Sequence, residues 1–296
     1  MYLPYLRGKQ NELLALQELL RADKISDKIL PIVEPVNLGS TLLNTVKQLV
    51  ENKKYIAIVK NGIFDMMENI NSGDKLSLFD NKYCIKAYIV NQQINDSIRN
   101  QHEDIILINN TRDTFQDYKK LLETNKLKYS LIPDDRIFKR NSINPILFED
   151  NYKKREKNEF YAENDDEYFS DICFYFKDDG YVGFSDYSII GKEIPISGFA
   201  PRAVALHIIY KKENEIRIKH FVSNSNSDIS NPAKKFEEAA EKMYLWVKDN
   251  EINMTYGLKN LMECYENKRY PGLGVIKRYS IMNHLELINN ILEDIT

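Results

Sequence analysis

A chain of 296 residues that is 43% hydrophobic and 29% charged is ordinary globular material, which excludes a fibrous or wholly disordered protein. Its 41 basic and 44 acidic residues are interspersed and sum to a formal charge of -3, so no long-range field points to nucleic acid or a membrane surface, although a local basic cleft is compatible with that balance. No apolar run approaches the roughly 20 residues a membrane helix needs, and the widely spaced Cys84, Cys173 and Cys264 suggest neither a zinc ribbon nor a disulfide framework.

The first stretch, YLPYLRGKQNELLALQELL (Tyr2 to Leu20), runs from an apolar strand through Arg7, a glycine and Lys9 into an apolar pattern at helical spacing. Further short runs rich in Ile, Val, Leu and Tyr follow at Ile29 to Glu34, Tyr55 to Lys60, Cys84 to Val90, Asp104 to Asn109 and Tyr129 to Pro133. Between them lie amphipathic segments such as Asn11 to Leu20, Thr41 to Glu51 and Thr114 to Leu122. Strand and helix in alternation predict parallel strands joined by crossover helices. Because no strand is followed by a glycine-rich phosphate turn, an open nucleotide-binding sheet is disfavoured and a TIM-barrel-like (β/α)8 fold is expected.

The second half is less regular. Residues Lys139 to Asp171 carry the charged, tyrosine-rich EDNYKKREKNEFYAENDDEYFSD, read as a solvated insertion or a lid. GYVGFSDYSIIG, AVALHIIYKK and EIRIKHFVSN look like strands, the last two joined by KENE as an antiparallel hairpin. From Asn231 to Thr296 the pattern is helical, and NPAKKF has the asparagine cap and first-turn proline of a helix start. The whole chain, 1–296, is expected to form one barrel-like domain with that insertion and that helical end.

Alternate side chains of a strand share a face, which groups Leu3, Tyr5 and Arg7, then Leu30, Ile32 and Glu34, then Ile56, Ile58 and Lys60. Each trio is apolar or aromatic until a charged last member. In a parallel barrel the C-terminal strand ends meet the loops that hold ligands, so Arg7 and Lys9 are predicted at the barrel mouth beside Glu34 and Lys60. YLPYLRGKQNELLAL, ILPIVEPV, IAIVKNG and the later GFSDYSIIG, AVALHIIY, IKHFVS and PGLGVIKRYSIMNHLELI resemble the Beta protein family of bacteria and phages. That resemblance implies a barrel-like fold, cytosolic location and a mobile-element or antiphage setting. It carries no established reaction.

Arg7, Lys9 and Lys60 suit a phosphate or carboxylate, since Arg supplies a planar fork and Lys a mobile point charge. Tyr5 shares their strand face. Glu34 is then an acid-base group, or simply the ion-pair partner of Arg7 or Lys60. In IPDDR, Asp134 and its neighbour Asp135 offer oxygen ligands of the kind Mg²⁺ takes, and equally common turn chemistry; no other cofactor is suggested. Asp186 in FSDY is an oriented buried acid or a loop cap. His207 and His220 are expected to face each other across the hairpin, as acid-base groups or as hydrogen-bonded core residues, and they lack the further ligands zinc requires. His102 is uninformative. No motif for covalent catalysis is present.

Three functions are compatible with these residues. One is a barrel that binds an anionic, phosphorylated or nucleotide-like small molecule at its mouth, with Glu34, Lys60, Asp186 and His207 as acid-base groups and Tyr5, Arg7, Lys9 and Asp134 holding the ligand. The second is a noncatalytic subunit that regulates a neighbouring nuclease-like effector. The third is a single-stranded nucleic-acid binder with stacking tyrosines; no membrane partner is implied.

Overall fold

Eight parallel strands form a nearly closed barrel. A computed structural model of the chain describes residues 1–66, 77–91, 94, 98, 104–193 and 201–295. The barrel strands are β1 (Tyr5–Leu6), β2 (Ile32–Val33), β3 (Ile56–Val59), β4 (Cys84–Ile89), β5 (Ile105–Ile108), β6 (Leu127–Ile132), β7 (Pro145–Glu149) and β9 (Gly183–Asp186), in that spatial order. A parallel bridge between Tyr2 and Phe184 joins the last strand to the first, with Leu3 N–H donating to Phe184 O at 2.9 Å. The chain is a TIM-like α/β barrel. Among the described residues its first helices, α1 (Gln10–Arg21), α2 (Ser40–Glu51) and α3 (Phe115–Thr124), fall close to the sequence-predicted segments.

Two layers of apolar side chains explain why the strands read as continuous hydrophobic runs. The inner layer holds Leu3, Tyr5, Leu30, Ile32, Ala57, Val59, Ile85, Ala87, Ile106, Ile108, Leu131, Ile146, Phe148 and Tyr187. The outer one, with Leu6, Val33, Ile56 and Ile58, packs the strands against the helices. Parallel neighbours in register share a face, and Tyr5, Ile32, Ala57 and Ile85 are successive register partners. The expected inward trio of Ile56, Ile58 and Lys60 is therefore corrected. Those residues face outward, and the Lys60 ammonium lies 4.8 Å from the centre of the Phe79 ring in the helix layer. Both faces of β3 are apolar, so hydrophobic pattern alone leaves its facing undetermined.

The irregular half adds a three-stranded antiparallel sheet in the order β10–β11–β8, from β8 (Asp166–Ser170), β10 (Ala205–Lys212) and β11 (Glu215–Val222). The predicted hairpin is present, with His207 directly opposite His220. The charged segment read as an insertion contributes β8, and β7 begins inside the range assigned to it. Short helices α4 (Arg136–Asn141) and α5 (Ile172–Tyr175) precede the helical end formed by α6 (Pro232–Asp249), α7 (Tyr256–Glu266) and α8 (Leu273–Asp294). Pro232 starts α6 as expected, but Asn231 makes no side-chain cap: it sits in the left-handed region at φ 51°. α8 packs against α1, α7 and β10, which ties the C-terminal region to the barrel's first helix. All three cysteines are buried and free, and no described helix is long and apolar enough to cross a membrane.

Candidate functional site

At the mouth the structure brings together Tyr5, Arg7 and Glu34. Gly8 adopts φ +66°, turning the chain sharply from β1 into α1 where an added Cβ would press on the Glu34 carbonyl. Arg7 Nη1 donates to Glu34 Oε2 in a buried ion pair, and its Nη2 donates to Lys192 O at 2.6 Å. Tyr5 Oη donates to the same Glu34 oxygen at 2.9 Å, and Ile63 N–H to the other at 3.1 Å. The guanidinium carbon lies 5.0 Å from the Tyr187 ring centre and 5.3 Å from that of Tyr5. Burial, reinforced by Glu34, holds the Tyr5 phenol well above its ordinary range. Glu34 thus takes donors on both oxygens, and the predicted cationic clamp is a closed ion pair capped by aromatic rings. Lys60 has no place in it. Lys9 is the residue before α1, beside Glu12, whose Oε2 accepts from Arg7 N–H at 2.7 Å.

The other predicted residues lie elsewhere. Asp186 is on the outer face of β9, where it accepts from Tyr2 Oη at 2.6 Å and Ser188 N–H at 2.7 Å. Its other oxygen is 3.7 Å from His284 Nε2, and His284 Nδ1 is 2.9 Å from Ser188 Oγ. This fully buried network fastens α8 to the barrel, so Asp186 is an oriented acid of the core and not of the mouth. Burial lowers the His284 pKa against the opposing pull of Asp186. In the IPDDR turn, Asp134 accepts from Tyr181 Oη at 2.9 Å, while Asp135 caps α4 through Ile137 N–H and pairs with Arg112 at 3.1 Å. His102 lies outside the described residues.

His207 does line an open site. A cleft of about 430 Å³ lies between the loops that follow β7 and β9, strand β10 and the start of α8. Because those loops leave the C-terminal ends of barrel strands, the cleft opens on the ligand-holding face. A second cavity of about 440 Å³, lined by Tyr55, Asp80, Lys86, Asp104 and Lys126, lies at the opposite ends of the strands, and its charges pair with one another as Lys86–Asp80 and Lys126–Asp104.

The cleft presents Lys154, Arg155 and Lys277, the rings of Tyr152, Tyr161 and His207, and an apolar wall of Ile189, Ile190 and Ile276. Lys277 is half-buried and, among the described residues, makes no hydrogen bond or ion pair. Burial lowers its pKa; Glu12 opposes that shift, and Lys9 and Lys154 add to it. Arg155 Nη2 donates to Glu167 Oε1, while its buried Nε has no partner.

A hydrogen-bonded chain leads away from the cleft. Arg155 N–H donates to Tyr161 Oη at 3.0 Å, the Tyr161 and Tyr152 hydroxyls are 2.7 Å apart, and Tyr152 Oη is 3.2 Å from His207 Nε2. His207 Nδ1 is 2.7 Å from His220 Nδ1, and His220 Nε2 stands 3.8 Å from Glu167. Burial keeps both imidazoles neutral near pH 7: His220 is pushed down to about 4, and His207, beside His220 and Lys277, also falls well below its ordinary value. Lys277, Arg155, Tyr152 and Tyr161 were missed from sequence. Lys277 interrupts the apolar face of VIKRYSI, and the tyrosines stand in the charged segment read as a solvated insertion or a lid, where no single residue was picked out.

No protein-family model, curated protein or solved structure matches the chain.

Proposed function

We propose that the protein binds a small anionic molecule, phosphorylated or carboxylated, on the C-terminal face of its barrel, in the cleft lined by Lys154, Arg155 and Lys277. The observation that carries this reading is the Lys277 amine, half-buried in the cleft wall with no hydrogen bond or ion pair among the described residues. A buried amine, charged or neutral, is stabilised by an acceptor for its N–H groups, which an anion supplies. Among the charges that act on it Glu12 is the strongest, with Lys9 and Lys154 opposing it. Lys154, 3.5 Å from Glu193, and Arg155, paired with Glu167, add a mobile point charge and a planar fork at the rim. A volume of about 430 Å³ suits a metabolite-sized ligand, with the isoleucine wall and tyrosine rings contacting its less polar part.

A thermal-shift screen against inorganic phosphate, sugar phosphates, nucleotides, 2-oxo acids and a short oligonucleotide tests the reading. A ligand present at 100 times its Kd stabilises the fold by roughly 2.7 kcal/mol, and Lys277→Met should abolish that stabilisation. Absence of any anionic hit, or a hit indifferent to Lys277→Met, overturns it. Stabilisation by the oligonucleotide alone would replace it with nucleic-acid binding.

A further inference from the structure

We propose that Lys277 is a nucleophilic amine that forms an imine with a carbonyl compound carrying a phosphate or carboxylate, and that the Tyr161–Tyr152–His207–His220 chain moves the protons of that step. The inference rests on the anion-binding reading of the cleft and adds a reaction to it. An amine acts as a nucleophile only when unprotonated, and enzymes reach that state by removing it from water, by placing it near other cations, and by denying it a carboxylate partner. The cleft does the first two. Lys277 is half-buried next to Ile276 and shares the lining with Lys154, and Lys9 and Lys154 both act against its charged form; Glu12 is the acid that opposes them, with one oxygen accepting from the Arg7 backbone. The other Glu12 oxygen is buried and, among the described residues, unpartnered.

The same cleft supplies the rest of the chemistry. Lys154 and Arg155 sit at the rim, where they can hold the anionic end of a substrate whose carbonyl points toward α8. In the reaction the amine nitrogen attacks the carbonyl carbon, the C–N bond forms and the π electrons move to oxygen. The resulting carbinolamine then loses its oxygen as water, which carries off the two protons that began on nitrogen, and a C=N bond remains. No oxidant or other reactant is required. Those protons must travel from nitrogen to oxygen, and a hydroxyl or a neutral imidazole can serve as either donor or acceptor. The Tyr152 hydroxyl, 2.7 Å from Tyr161 and 3.2 Å from His207, therefore passes a proton in either direction along the chain.

The test is reductive trapping of the full-length protein at pH 7 with sodium cyanoborohydride, using pyruvate or dihydroxyacetone phosphate as probe and acetone as the uncharged control. Intact mass and peptide mapping should show one adduct per chain, at Lys277, formed faster than at any exposed lysine. Lys277→Arg should keep anion-dependent stabilisation in thermal shift yet form no such adduct, and Tyr152→Phe should slow trapping with a changed pH profile. Adducts spread evenly over surface lysines, or equal labelling by acetone, overturn the proposal. If phosphate stabilises the fold while neither charged probe is trapped, the imine step fails and anion binding stands; if no anion stabilises the fold, the binding reading itself has failed.

Discussion

Arg7→Met isolates the charge at the barrel mouth. Glu34 and Arg7 are 3% and 8% exposed, and the substitution leaves a buried carboxylate with two neutral donors, Tyr5 Oη and Ile63 N–H, in place of a guanidinium. Removing one partner of a buried pair costs about 3 to 5 kcal/mol, because the surviving charge remains desolvated. For a chain of this length the unfolding entropy, about 2.1 cal/mol/K per residue, is roughly 0.6 kcal/mol/K. The expected fall in Tm is then about 5 to 8 °C. The double variant Arg7→Met/Glu34→Gln keeps an acceptor for Tyr5 and removes the stranded charge, so it should recover at least about 2 kcal/mol of the loss, a strong positive coupling in a double-mutant cycle. The deficit of the single variant should also shrink as pH falls. A buried, unpaired carboxyl has a raised folded-state pKa, protonates first in the folded state, and gains stability relative to the unfolded chain on acidification. Urea and thermal unfolding of the four proteins measures all of this. Single-variant losses below about 1 kcal/mol that simply add would show the pair to be solvated, as surface pairs are, and would refute the closed-mouth description.

Two further outcomes follow from the correction of predicted sites and from the buried histidines. Lys60→Met should leave phosphate-induced stabilisation unchanged within error, since its side chain lies over Phe79 in the helix layer; a weakened response in thermal shift would return Lys60 to the ligand site. Acid should destabilise the protein below about pH 6.5: His220 falls from 6.5 to about 4, a difference of 2.5 units, which at 1.36 kcal/mol per unit is on the order of 3 kcal/mol. A histidine with a lowered folded-state pKa contributes that stability in full above 6.5 and loses it as pH falls toward about 4. His207 and His284 act in the same direction, and Glu12 and Glu149, whose pKa values burial raises, oppose them. His220→Asn should flatten the urea-midpoint profile over this window, and an unchanged slope would contradict a buried neutral His220.

What was legible in the sequence divides along the number of faces a residue's pattern has to serve. The strand–helix alternation identified the barrel because crossover topology follows from element order alone. Arg7 and Glu34 were found because β1 and β2 each end in one charge on a face that is otherwise aromatic or aliphatic, and the register partners Tyr5 and Ile32 fix that face as the interior. The same logic failed on β3. Ala57 and Val59 are as apolar as Ile56 and Ile58, so the single charge at Lys60 decided the reading, and a Lys stem is long enough to lie along an apolar outer layer. Pattern names a face only when the two faces differ.

The cleft was illegible for another reason: its parts come from four places in the chain, and each looks like something else in isolation. Tyr152 and Tyr161 sit in a highly charged stretch, His207 on an apolar strand, and Lys277 on a helix whose buried residues include Ser280, Asn283, His284 and Glu286. That last feature was the usable signal. A helix that buries this many polar groups must find partners for each, and most do: Asn283 donates to Ile209 O at 2.8 Å and accepts from Thr255 Oγ1 at 2.7 Å, Glu286 accepts from Tyr256 N–H, and His284 joins the Asp186 network. Buried polar groups without function are satisfied in this way. Lys277 departs from the pattern on the same helix: it borders an open cleft and, among the described residues, makes no hydrogen bond or ion pair, which is the feature on which the proposed anion site rests.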